Sequence, residues 1–445
     1  MTTVTEEATD LLQHLIRNEC VNDGTPDSGH EVRSIETLAA YLAGPGVEMQ
    51  RYEPHPGRVS MVLRIEGSDP TRPSLHLCGH VDVVPVSAKG WTRDPFAGEL
   101  IDGTVWGRGA VDMLDTTATM AVAVRRLLDS GFRPKGTLIY SAVADEEALG
   151  TWGAEWLVEH AWDDVRADYL LTEFGGARFP LRSKGGPRLP VMTAEKGYQW
   201  TRLRVRGTPG HGSMPFRSDN AAVKAGEIVR RIAAYHPPRR LDGLWRRFVD
   251  GLGLPALQRL ALKSPLFVGG ALDCAPIGIG RMFDASTHTT FSPNFLRSGI
   301  KINVIPDTAE IEVDIRVMPG DDGEPVRRML ADAIGDLWPE CEIASESVNA
   351  ATTSPLDTPL WDLLDRVSAQ LVPDARTVPM LLVGATDARF FRRKGVVAYG
   401  YGLLSERIPF NEFAAMFHGN DERVDQESLR LSAELWERVA REFLG

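Results

Sequence analysis

Cysteine is scarce in this chain: Cys20, Cys78, Cys274 and Cys341 are the only four in 445 residues, widely scattered and without a CxxC pair. That spacing excludes a disulfide framework and a thiolate zinc ribbon, and predicts reduced thiols in a cytoplasmic protein. No apolar run reaches the ~18–20 residues that a membrane-spanning helix needs. The opening stretch, MTTVTEEATDLLQHLIRNEC, has neither the basic nor the apolar segment of a secretory leader, so neither a membrane nor export is expected. Positive charge is in deficit, with 49 Lys and Arg against 61 Asp and Glu. The net charge of −12 argues against nucleic acid as a partner, because phosphate binding draws on a surplus of Lys and Arg. Internal repeats and low-complexity segments are also lacking. With 43% hydrophobic and 25% charged residues, the remainder is ordinary globular composition, able to bury a core in each of two or three domains.

Strand and helix signals alternate through residues 1–195. Leu11, Leu12, Leu15 and Ile16 share a helical stripe, SMVLRIEG (60–67) alternates like a strand, and PSLHLCGH (73–80) is a second strand. A helix from about Asp112 to Leu128 ends before Gly131, and TLIYSAVA (137–144) and ADYLLTE (167–173) are further strands. Such alternation predicts an α/β fold with a mainly parallel sheet covered on both faces. From Tyr198 the pattern is that of a small antiparallel α+β unit. It comprises the strand WTRLRVRG, a helix over 220–235, paired strands over 300–306 and 309–317, a helix over 324–335 and a strand over 342–348. Residues 237–298 lack strong periodicity and read as extra helices and loops. The α/β pattern resumes after 350 and closes with a helix over 425–443. The chain therefore reads as one catalytic domain, 1–195 and 350–445, split by an inserted lid over 196–349.

Several polar residues fall at the strand ends, where open α/β sheets place their ligands. In LHLCGHVDVVP, His80 and Asp82 share one strand face, so the carboxylate can hold the imidazole tautomer. Taken alone, the pair is equally a hydrogen-bonded strand end, and His76 on the same face reads as a partly buried structural histidine. Asp112, in GRGAVDML, taken alone reads as a helix cap. Glu146 and Glu147, in ADEEALG, emerge from an apolar strand, Glu173 ends the next strand, and His418 lies in the loop FHGNDERV. Two histidines and three carboxylates offer nitrogen and oxygen donors without thiolate, which suits zinc and also cobalt or manganese. A bridging carboxylate would hold two such ions ~3.5–4 Å apart.

In this order the motifs resemble those of the dizinc aminoacylase/carboxypeptidase family, and the similarity covers nearly the whole chain, weakest over 237–298. The resemblance implies a zinc-peptidase-like catalytic domain with an inserted ferredoxin-like lid. It implies that His80 and Glu173 bind one metal ion, Glu147 and His418 the other, and Asp112 bridges them. Glu146 would be the general base toward an attacking water, Asp82 the clamp on His80, and the Asp112–Met113 peptide cis. In TPGHGSMP, His211 would stabilise the oxyanion, in cis or from the second subunit of a homodimer formed through the lid. Asn303 would contact substrate, Arg316 would clamp a substrate carboxylate, and Gly384 of GATDARFF would belong to a substrate loop. By residue chemistry alone, these lid positions read as a loop histidine, a turn asparagine and a strand-surface arginine. One departure stands out: DMLD replaces the family's DMKG, with Leu114 and Asp115 where Lys and Gly are usual. The expected activity is metal-dependent hydrolysis of an amide bond in a small N-acyl amino acid or short peptide with a free carboxylate. The alternative is a non-catalytic ligand-binding member of the same fold.

Overall fold

The computed structural model describes residues 2–180, 183, 185–241 and 243–445. Its main sheet has nine strands. At its centre Leu138–Val143, Leu75–His80, Tyr169–Thr172 and Val397–Gly400 run parallel, in that order. Arg58–Ile65 and then Met49–His55 extend one side antiparallel. On the other side, Arg188–Glu195 meets Val397–Gly400 antiparallel and pairs with Arg376–Leu382 in parallel. The sheet is thus mixed around a parallel centre.

The central strands are almost continuously apolar because both faces are covered. Met61, Leu63, Leu77 and Tyr140 point into one cluster with the helices Val4–Arg17, Leu114–Asp129 and Gln426–Leu444. Their neighbours Val62, Cys78 and Ile139 point into the opposite cluster, against Ala154–His160 and Ala388–Arg393. Each large apolar side chain so buried contributes roughly 1.5–3 kcal/mol. The helix starts carry their own signals: Thr3 and Glu6 form a capping box, and Asp425 caps the last helix through Ser428 N–H. All four cysteines are free thiols, and no described helix is long and apolar enough to cross a membrane.

A second, four-stranded antiparallel sheet has the order Thr290–Ser298, Thr308–Val317, Gly197–Arg206, Cys341–Asn349. Leu203, Val205, Ile311, Val313 and Ile315 face the helices Ala221–Ala234 and Glu324–Ile334. The other face is polar and carries cross-strand Arg202–Glu312 and Arg204–Glu310 pairs. This corrects the expected pairing of 300–306 with 309–317. Only Val304–Ile305 is extended there, and it pairs with Gly210–His211 instead. The partner of Thr308–Val317 is Thr290–Ser298, inside the stretch read as helices and loops. Before that strand, four short helices, Gly243–Gly251, Ala256–Lys263, Val268–Asp273 and Ile277–Ala285, pack on Phe179, Val378 and Met380. Lys196 lies between the two sheets, fully buried, and its Nζ donates to Thr290 Oγ1 at 3.2 Å. Burial lowers its ammonium group to about 7.

Candidate metal centre

His80 is the last residue of Leu75–His80 and fully buried. Its Nδ1 lies 3.0 Å from the Asp82 carbonyl oxygen and 3.5 Å from Asp82 Oδ1. The other ring nitrogen, Nε2, then faces Asp112 Oδ1 at 3.4 Å and Glu173 Oε2 at 3.6 Å. On the far side of the same carboxylate, Asp112 Oδ2 is 3.4 Å from His418 Nε2, which is 3.2 Å from Glu147 Oε2. Two triads result, His80–Asp112–Glu173 and Asp112–Glu147–His418, and the ligand atoms of each lie within 4.8 Å of one another. Asp112 addresses one triad with each oxygen.

The backbone is shaped around these side chains. The helix begins at Leu114 rather than at Asp112, so Asp112 belongs to the turn before it, and the Asp112–Met113 peptide is cis. Asp145, Phe174 and His418 adopt positive φ values of 71°, 66° and 55°, which cost non-glycine residues free energy and cluster at functional sites. Asp145 starts the tight turn Glu146–Ala148, and Asp82 holds that turn. Its Oδ1 accepts from Glu146 N–H and its Oδ2 from Glu147 N–H, both at 3.1 Å. Asn22 donates to Asp82 Oδ2 at 2.8 Å.

Buried negative charge is in excess here. Burial, then the Glu173 charge, raises Glu146 well above the usual carboxylate range, and burial raises Glu173 to about 8. Hydrogen bonds to Asp112 and Glu147 lift His418 to about 10. Burial opposes charge on His80, but its contacts with Asp112, Asp82 and Glu173 outweigh that and raise it too. A divalent cation offsets such an excess. The donors fit one in kind: nitrogen and oxygen, no thiolate, with Glu147 Oε1 buried and lacking a hydrogen-bond partner.

The lid residues lie elsewhere. His211 is exposed, its Nδ1 2.8 Å from Ser213 Oγ, and its strand neighbour Gly212 donates to the Asn303 carbonyl at 2.8 Å. His211 and Asn303 are therefore brought together, at the Gly210–His211 pairing with Val304–Ile305. Arg316 is half-buried, its Nε 2.9 Å from Asp314 Oδ1 and its guanidinium over the Trp200 ring. Gly384 is in the loop after Arg376–Leu382, with open space where a Cβ would stand. No hydrogen bond or ion pair among the described residues joins these four to the triads. His76 is fully buried between Val165 O and Ser141 Oγ, and burial lowers it to about 3, so its role is structural.

Two neighbours of the site escape sequence reasoning. Glu422 accepts from the backbone N–H of Gly109, Val111 and Asp112 and pairs with Arg108, fixing the turn that presents Asp112. Asp387 is buried near His80 and Asp82, one oxygen unpartnered, and burial raises it to about 7. Their only sequence signal is proximity: Glu422 follows His418 by four residues and Asp387 follows Gly384 by three. Asp115, at the departure from DMKG, is buried, and burial raises it to about 7.

Comparison with known proteins bears on the fold and the family. Human aminoacylase-1 is 29% identical over 426 residues, covering 93% of this chain and 90% of its own. The structure of an M20 family metallo-carboxypeptidase, Sso-CP2 from Sulfolobus solfataricus, matches with a TM-score of 0.69 at 16% identity, over 100% of this chain and 99% of that one. YXEP of Bacillus subtilis, described as a dinuclear metal binding peptidase of the M20 family, matches with a TM-score of 0.60 at 15% identity, over 98% of each chain. These two structures share the fold. The model of peptidase family M20/M25/M40 matches residues 76–442, and the chain belongs to that family.

Proposed function

We propose that this metallohydrolase, which acts on amide bonds, removes the acyl group from N-acyl amino acids with a free carboxylate. The observation that carries the reading is the position of Asp112 between two imidazole–carboxylate pairs, beside a turn that holds Glu146. His80, Asp112 and Glu173 would hold one divalent ion and Asp112, Glu147 and His418 the second, zinc being the ion the donors suit best. Two ions so held supply Lewis acidity toward the scissile carbonyl and lower the pKa of water.

The chain's own residues do the rest. Glu146 takes the proton of the attacking water and delivers it to the leaving amine. Asp82 keeps the His80 ring and the Glu146 turn in register. Arg316, whose Nε and Nη2 face Asp314, retains Nη1 for the substrate carboxylate. His211 steadies the developing oxyanion, while Asn303 and the Gly384 loop contact substrate. Similarity to aminoacylase-1 along nearly the whole chain favours deacylation over peptide cleavage. The test is hydrolysis of N-acyl amino acids beside dipeptides with added zinc, cobalt or manganese. Faster deacylation is expected; a preference for dipeptides would overturn the choice.

A further inference from the structure

The four short helices before Thr290–Ser298 do more than fill space. Between Ile277–Ala285 and the helix Phe410–Met416 lies a cavity of about 720 Å³. That is the size of a small-molecule site and far above the voids of a packed interior, few of which exceed a water molecule. Its wall includes Phe174, Phe179, Met192, Ile279, Met282 and Phe413, and among the described lining residues only Arg281 and Asn411 have polar side chains. Ile277, also in the lining, is 72% exposed and marks the mouth.

The cavity adjoins both halves of the metal centre. Phe174 follows Glu173 in the chain, Phe417 precedes His418, and their rings stand 5.1 Å apart. A charged carboxylate placed in this cavity would lose its water without gaining enough partners. The space also exceeds a single amino-acid side chain. An extended aliphatic chain meets both conditions, since burying its methylenes against these apolar walls is favourable and needs no polar partners.

We propose that the cavity receives the aliphatic acyl chain of the substrate, so that the enzyme prefers medium- and long-chain N-acyl amino acids to N-acetyl ones. This rests on the deacylase reading above. The test is kcat/KM for one amino acid carrying acetyl, butanoyl, octanoyl, decanoyl and hexadecanoyl groups, with dipeptides alongside. Each methylene buried should raise kcat/KM by about fourfold until the cavity is filled. Ala285→Phe, which narrows the cavity, should lower the decanoyl-to-acetyl ratio at least tenfold. Phe413→Ala, which widens it, should move the preferred chain to greater length; it answers the same question if Ala285→Phe fails to fold. A flat or falling profile with measurable acetyl or dipeptide hydrolysis overturns the cavity assignment and leaves amide hydrolysis standing. Ratios unchanged in folded variants overturn it as well. No hydrolysis of any N-acyl substrate overturns the deacylase reading and this proposal with it.

Discussion

Asp82 accepts the backbone N–H of Glu146 at 3.1 Å, and the same residue lies against the Nδ1 of His80. One residue therefore orients a proposed metal ligand, through its carbonyl oxygen with its carboxylate nearby, and through that carboxylate positions the proposed general base. The two sit on consecutive parallel strands of the sheet centre, His80 ending one and Glu146 following the other. Their separation is thus fixed by sheet register and by Asp82 together.

Glu146→Gln keeps the turn and removes the proposed base. Turnover should fall about 10²–10⁴-fold, the usual worth of a positioned acid–base group, while bound metal stays unchanged. Steady-state kinetics and metal analysis on the same preparation decide it. Near-normal turnover would show that the proton passes through another group.

Asp82→Ala should act on metal binding as well as turnover. Loss of such an orienting partner typically costs about 10–100-fold in metal affinity or activity. Competition with a chromogenic chelator measures the affinity. An unchanged dissociation constant would mean that the carbonyl of residue 82 is sufficient to hold the His80 ring.

Chelation should abolish hydrolysis, and two equivalents of zinc should restore it, because Asp112 faces two separate donor sets. Asp112→Ala should lose at least one ion per chain. Saturation of the wild type at one ion or fewer would contradict the paired arrangement.

Lys196 gives a pH signature in stability. Its folded pKa of about 7 lies below the value of about 10.5 for a free lysine, so the unfolded chain binds more protons between those limits. Below pH 7 the full cost of burying the charged ammonium is present, and that cost fades as pH rises toward 10.5. Lys196→Met should raise the melting temperature most at pH 6, with the gain shrinking through pH 7–10. A gain independent of pH would assign the effect to packing alone.

Of the candidate ligand residues, His80, Glu147 and Glu173 are legible in the sequence because each ends or closely follows a short apolar strand. Asp112 and His418 lie in turns beside helices and stand out only through the order of the motifs. The lid topology is less legible. Thr290–Ser298 is an edge strand with Pro293, Asn294 and Arg297 in it and a bulge between Pro293 and Phe295, so it lacks the alternation of a half-buried strand. The stretch IKINVIP has that alternation, yet Ile300 and Ile302 are fully exposed. Asp387 and Glu422 become visible only in three dimensions, because their partners are distant in sequence: His80 and Asp82 for one, the turn before Asp112 for the other.

The contact between Glu422 and the Asp112 turn has a consequence for how the enzyme comes into being. His80 and Asp82 precede His418 and Glu422 by more than 330 residues, so they are synthesised well before the second triad is complete and before the anchor that poses Asp112. A chain that stops before His418 would carry the proposed base and four of the five candidate donors, but not the Asp112–Glu147–His418 triad. Under the proposed function, a fragment that stops short of Glu422 would not hydrolyse amides.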